Sequence, residues 1–317
     1  MVSLRLRRNE RGIALLATLL AVALMTVLVV DFTTSAALGY RSAANQADQL
    51  RAYYLARSGI AAGLAELELD SFNDALQQTP HDGLDESWAQ PTPPIPVDNG
   101  TVTLSVVDEA RKIDINLLLD PRTGAMNPLY SEIVLRLFAN IGVSPDLIPI
   151  IVDWLDPDSV ESSGGAEADY YLSLTPPYEP RNGPMPTIGD MRMLKGMDDA
   201  TFMTLSRFLT TMPEPRVNAN TAPPEVLAAL VPELANNPEL VKEIVAAREM
   251  RPFLTITDIT NLPGVGSLAD LGRLLNTRST YFTITGQGDF AGARKRIYAT
   301  FRRNMNGTAM LMNWHED

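Results

Sequence analysis

The sequence predicts an α+β fold, in which a long N-terminal helix packs on a small antiparallel sheet that carries a large all-α insertion. Three observations predict it. From Ile13 to about Asp70 there is no proline, and alanine and leucine dominate. Segments that alternate polar and apolar residues lie near residue 100 and again near residue 300. Between them, over residues 113–277, apolar residues recur at helical spacing, broken by Pro and Gly.

The N-terminal element has two parts. Residues 1–12 carry Arg5, Arg7, Arg8 and Arg11 against Glu10, and an uncharged run, Ile13 to Val30, follows and ends at Asp31. At 1.5 Å per helical residue such a run spans about 27 Å, close to the hydrocarbon thickness of a bilayer. The arginines ahead of it place the N-terminus in the cytoplasm and the remainder across the membrane. Three readings fit this pattern. An ordinary secretory signal would be cut at the small-x-small site Ser35-Ala36-Ala37. A plain anchor would stay uncut. A pilin-type leader would be cut after Gly12, and the new N-terminus, Ile13, would keep the apolar run. The absence of any break after Val30 favours the third. Tyr40, Ala44, Ala47, Leu50, Tyr54, Ala61, Leu64 and Leu67 recur at three- and four-residue steps. They predict an amphipathic continuation of the membrane helix, with Gly39, Gly59 and Gly63 as soft points.

Residues 71–99, with His81, Asp82 and the Pro-rich run Gln90–Pro96, read as a linker. Gly100 to Glu109 reads as a half-buried strand. Tyr281–Thr285 and Arg294–Arg302 predict a hairpin around a turn at Gly288–Gly292. Asn304 to Asp317 reads as a tail.

Inside the helical stretch there is a faint duplication. Residues 133–153 and 226–246 match in apolar pattern at a constant offset of 93, with Pro145 on Pro238 and Ile151 on Ile244. Two packed copies of a helical unit, or shared helix-hairpin chemistry, account for it equally. Leu262-Pro263-Gly264-Val265-Gly266 is the kind of turn through which helix-hairpin-helix modules offer backbone amides to DNA phosphates. From residue 238 to 278, however, Lys242, Arg248, Arg251, Arg273 and Arg278 are balanced by Glu239, Glu243, Glu249, Asp258 and Asp270. A locally neutral module in an acidic chain is a poor phosphate binder, so helix packing is the better reading.

The first half of that stretch holds the densest carboxylates. Asp153-Trp154-Leu155-Asp156-Pro157-Asp158 leads through Glu161, Gly164 and Gly165 to Glu167, Asp169, Tyr170 and Tyr171, with no Lys or Arg between Arg136 and Arg181. Hard oxygen donors on a glycine-softened loop suit Ca2+, although the spacing is not that of an EF-hand. A solvated acidic loop fits the charge pattern as well.

Composition removes other functions. The chain has 317 residues, a net charge of −12, no Cys, and only two His, His81 and His315. There is no material for disulfides, thiol nucleophiles or a multi-histidine metal site, and the acidic balance disfavours DNA. A hydrolase built on the carboxylates would need an acid of raised pKa facing a pocket.

Taken in order, the leader, the long helix, the bracketing strands, the Asn218-Ala219-Asn220-Thr221-Ala222-Pro223 run with Arg251-Pro252-Phe253 and Leu262-Pro263-Gly264, and the acidic loop resemble the K-type minor pseudopilins of type II secretion over nearly the whole chain. The resemblance implies a pilin-like fold with a helical insertion. Its parts would be a leader (1–12), a transmembrane segment (13–30), a first pilin-like part (31–112), the insertion (113–277), closing strands (278–303) and the tail (304–317). It implies cleavage by prepilin peptidase between Gly12 and Ile13, N-methylation at Ile13, and a single-pass inner-membrane protein with a periplasmic bulk. It implies structural calcium held by Asp156, Asp158, Glu167 and Asp169, ahead of Asp153. The implied partners are the I-, J- and H-type minor pseudopilins at the pseudopilus tip and secreted substrates, with no nucleic acid and no catalysis. Most pilins carry glutamate at the fifth mature position, which here is Ala17; the K type lacks it, as suits a tip subunit. A type IV pilus tip subunit and a membrane-anchored DNA receptor are the alternatives.

Overall fold

One helix, α1 (Glu10–Gln77), runs unbroken through 68 residues, about 100 Å. The computed structural model describes residues 10–77, 80–120, 122–266, 268, 270–304 and 307–317. Leader residues Arg5, Arg7 and Arg8 therefore lie outside the described part. From Gly12 to Ala47 every residue is exposed, and the helix contains a stretch long and apolar enough to cross a membrane. Beyond that point α1 packs on a sheet, with only part of the expected face. Leu67 is buried and Leu64 packs on the core as expected, but Leu50, Tyr54 and Ala61 are exposed, and Ala52, Ala56, Gly59, Ile60 and Gly63 are buried in their place. The buried stripe is mostly small because the helix backbone lies against a strand. A Cβ on Gly286 would stand 2.2 Å from the Ala56 carbonyl oxygen, and one on Gly63 2.7 Å from Ile284 Cγ2. Gly59 and Gly63 are thus points of close approach, and the helix does not bend open there.

The region read as a linker is more ordered than expected. A 3-10 turn at Ser87–Ala89 buries Trp88 edge-on against Phe282, 5.2 Å between ring centroids. Strand β1 (Ile95–Val97) then leads into β2 (Gly100–Asp108). After β2 the chain leaves the sheet through β3 (Ile113–Asp114), α2 (Pro128–Ile141), α3 (Leu147–Leu155), α4 (Ala168–Leu172), α5 (Asp199–Leu205) and β4 (Leu209–Thr210). It continues as β5 (Val217–Asn218), α6 (Pro224–Leu230), α7 (Pro232–Ala235), α8 (Pro238–Met250), α9 (Ile256–Thr260), α10 (Leu271–Leu274) and β6 (Leu275–Asn276). It returns as β7 (Tyr281–Phe290), β8 (Ala293–Arg303) and β9 (Ala309–Glu316).

The five-stranded sheet runs β1-β2-β7-β8-β9, antiparallel throughout. The hairpin turn is shorter than the sequence suggested. Phe290 pairs with Ala293, and Ala291 (φ 47) and Gly292 (φ 88) make the two-residue connection, the left-handed pair that matches strand twist. Gly288 belongs to the strand and faces α1. The expected tail is a strand as well: β9 pairs along β8 with a bulge at Thr300/Phe301.

The insertion holds its own core and is built twice. The first half is closed by parallel pairing of β3 with β4, the second by β5 with β6. Asn116 Oδ1 accepts from Met185 N and its Nδ2 donates to Met185 O; Asn220 makes the same pair of bonds with Phe253. Thr187 bonds Asp190 as Thr255 bonds Asp258. The halves meet where Arg136 of α2 donates to Ala229 O and Leu230 O at the end of α6 (2.8 and 3.1 Å), supplying cationic donors to orphan helix carbonyls.

A buried polar seam joins insertion to sheet. Asn218 Nδ2 lies 2.9 Å from Asp82 O, 3.0 Å from Asp108 Oδ2 and 2.8 Å from Ser279 Oγ. Glu109 accepts from Lys112 Nζ, Thr210 Oγ1 and Thr283 Oγ1. Burial alone would raise the Glu109 carboxyl, but Lys112 and the two hydroxyls outweigh it and hold it below its usual range. Asp108, with only neutral donors, is pushed by burial up to about 7.

Candidate metal centre

The acidic loop begins where α3 stops. Pro157 cannot continue the helix, and Asp156 turns to extended backbone at φ −78, ψ 156. Gly164, at φ +84, reverses the chain, and α4 resumes at Ala168. Trp154 and Tyr171 pack edge to face beneath the loop, 5.3 Å apart.

Asp153, fully buried, accepts from Ala166 N (2.8 Å) and Ser162 N (3.1 Å), so it staples the loop back onto α3. One carboxylate oxygen each from Asp156, Asp158 and Glu167 then converge, all within 4.8 Å of one another. Oxygens bound to a common Ca2+ at 2.3–2.6 Å lie no more than about 5 Å apart. Asp156 Oδ1, Glu167 Oε1 and Glu167 Oε2 are buried with no hydrogen-bond partner. Unpartnered buried carboxylate oxygens are costly, and a bound cation would offset the cost. Burial, then the charges of Asp158 and Asp153, push Asp156 up to about 6. Glu167 is raised by burial and by Asp153 and Asp156. An all-oxygen donor set of this charge fits a hard divalent cation.

Of the five residues singled out from sequence, Asp156, Asp158 and Glu167 come together and Asp153 stands behind them. Asp169 is exposed on α4 and outside the group. Sequence reasoning missed Asn182, whose Nδ2 donates to Asp158 O (3.0 Å) and whose Oδ1 is buried without a partner. Its φ of 46 and the following Gly183 are the available signal, because Asn-Gly pairs mark tight turns. It also missed Lys195, which donates to Gly165 O (2.9 Å) and pins the loop from outside.

A membrane-length helix that continues into a helix-on-sheet head, with a helical domain inserted between neighbouring strands, defines a pilin-like subunit. Two family models, both described as type II secretion system protein K, match residues 111–214 and 217–282. The boundary between them falls between β4 and β5, where the two halves of the insertion meet. The chain belongs to the type II secretion system protein K family. It is 28% identical to the type II secretion system protein K of Pseudomonas aeruginosa over 97% of this chain and 93% of that one. It is 31% identical to the Klebsiella pneumoniae protein K over 72% of each. Its fold is that of a chain in the crystal structure of the GspK–GspI–GspJ complex from the enterotoxigenic Escherichia coli type 2 secretion system. That match has a TM-score of 0.72 at 20% identity and covers 87% of this chain and 99% of the other.

Proposed function

We propose that this chain is the K-type minor pseudopilin of its secretion system, placed at the pseudopilus tip with I- and J-type subunits, where it supports pseudopilus assembly and export across the outer membrane. The observation that carries the reading is α1 itself. One helix joins an exposed apolar segment to the head, with no break at which a signal peptidase product could begin. Gly12 and Ile13 lie in its first turn, both exposed. Prepilin peptidase would cut between them and Ile13 would be N-methylated. The apolar run stays in the inner membrane and the head lies in the periplasm. Ala17 brings no carboxylate to the position where a pilin meets the amine of an earlier subunit, which suits a subunit that has none before it.

In this reading Asp156, Asp158 and Glu167 hold calcium, with Asp153 orienting the loop. The ion supplies charge neutralisation and fixes the loop between α3 and α4. Intact-mass and N-terminal peptide mass spectrometry of the chain expressed with and without prepilin peptidase is the test. A mature chain starting at Ile13 only with the peptidase present is the expected result. A start near Leu38, or Met1 retained in both strains, would overturn the leader assignment and with it the tip reading.

A further inference from the structure

A second cluster of ionisable groups lies where the last turns of α1 meet the 81–89 loop and the end of β8. Asp70 and Asp74 of α1 face Asp82 and Glu86 of the loop. Two guanidiniums pair with them. Arg303, buried, bonds Asp82, Asp70 and the Ser279 carbonyl and lies over the Phe282 ring. Arg278, half exposed, stands 3.9 Å from Asp74 Oδ2. With the half-exposed Asp85, 3.5 Å from His81 Nε2, five carboxylates face two guanidiniums, which leaves negative charge in excess, and His81 is the remaining basic group in the cluster.

The carboxylates differ in what they still lack. Asp82 takes Arg303 and the Ser279 amide, and Asp70 takes Arg303. Asp74 is 7% exposed, and its Oδ2 is buried with no hydrogen-bond partner. Glu86 accepts from Gly83 N and Trp88 Nε1 through Oε2 and shares a side-chain hydrogen bond with Asp70, while its Oε1 lies 3.8 Å from His81 Nδ1. One ligand atom each from Asp74, His81 and Glu86 lies within 4.8 Å of the other two. Asp74 also sits in the last turn of α1, where the helix dipole favours positive charge.

We propose that Asp74, His81 and Glu86 form a second cation site that takes a zinc-class divalent ion. The imidazole sets its selectivity apart from the all-oxygen acidic loop, because nitrogen donors favour borderline ions over calcium. A divalent ion offsets most of that excess. It ties the 81–89 loop, and so the core plug Trp88, to the end of the membrane-proximal helix. Burial, and then the neighbouring carboxylates, push Glu86 up to about 8 and Asp70 up to about 6 and raise Asp74, as crowding of carboxylates with too few cations does.

The test uses the full chain in detergent micelles, stripped with a chelator and returned to excess CaCl2, then titrated with ZnCl2 by calorimetry and with CoCl2 by visible absorption. One equivalent of Zn2+ should bind and shift Trp88 emission, since that indole donates to Glu86. D74N and H81Q should each weaken zinc about tenfold or more. H315Q, on the other histidine, should leave the isotherm unchanged. Zinc binding that survives both D74N and H81Q, or that is lost with H315Q, overturns the assignment. So does a wild-type chain that binds no zinc above its calcium background, which needs no variant at all. Circular dichroism of each variant separates a lost site from a lost fold.

Discussion

Gly165 lies so close to Asp153 that a Cβ built on it would stand 1.9 Å from Asp153 Oδ2. The same oxygen accepts from Ala166 N at 2.8 Å. The loop's return to α3 therefore depends on a residue without a side chain directly over a buried carboxylate. Gly165→Ala should open the loop and lower calcium affinity about tenfold or more, while Gly164→Ala, with no such neighbour but a φ of +84, should cost only backbone strain of about 1–3 kcal/mol. Calcium titration of both variants decides it; equal affinities in wild type and Gly165→Ala would sink the idea.

Calcium dependence should follow pH with a defined sign. The Asp156 carboxyl rises from 3.8 to about 6 in the fold without metal. The native state then binds more protons than the unfolded chain between those values, so its stability falls as pH rises through that window. Asp108 and Asp114, both at about 7, add in the same direction. The metal-free chain should melt at a higher temperature at pH 5 than at pH 7.5. Excess calcium should raise the melting temperature more at pH 7.5 than at pH 5. The double variant D156N/E167Q should stabilise the metal-free chain at pH 7.5 and abolish the calcium shift. A calcium shift of equal size at both pH values would contradict this.

Asn218→Ala removes the amide that reaches Asp82, Asp108 and Ser279 together. Leaving buried acceptors unpaired costs about 1–3 kcal/mol, and this seam is what ties the insertion to the head. Denaturant unfolding should show the loss, with a separated transition for the insertion. A change below about 0.5 kcal/mol in one intact transition would mean that the apolar contacts alone couple the two parts.

Gly286→Ala tests the helix-on-sheet contact. In an ordinary strand alanine is no worse than glycine, so any loss comes from the Ala56 carbonyl 2.2 Å away. Overpacking of this kind costs about 1–3 kcal/mol. Hydrogen exchange over residues 52–63 should accelerate; unchanged protection would show that α1 can slide to accept the methyl group.

The class of fold was legible because its signals are local: the proline-free run, the alternation of β2, β7 and β8, and the helical repeat of the insertion. What was misread depended on partners distant in sequence. The pattern through Tyr40, Leu50 and Tyr54 followed the larger residues, but the packed stripe is Ala52, Ala56, Gly59 and Gly63, selected by Gly286 and Gly288 on β7. Strand β9 hides because Met310, Leu311 and Met312 break the alternation with three exposed apolar residues, and its pairing carries a bulge. Asp156, Asp158 and Glu167 could be named from charge density, but density does not tell which way a side chain turns. That is why Asp169, which the fold leaves exposed on α4 outside the cluster, stood beside them, and Asn182, a neutral residue beyond the loop, did not.

Asp108 and Phe282 are direct partners across β2 and β7, so the entire insertion occupies the place of a hairpin turn. Glu109 and Thr283, 174 positions apart in the chain, share a hydrogen bond. Closing a flexible loop of that length carries an entropy cost that grows only slowly with length, but it also slows strand pairing. An insertion that has already folded shortens the effective loop to the few residues between its own ends and the strands. Synthesis runs in the same direction, since β7, β8 and β9 follow the insertion along the chain. The sheet that grips the long helix is therefore the last part to close, and a chain whose insertion fails to fold leaves that helix without its seat.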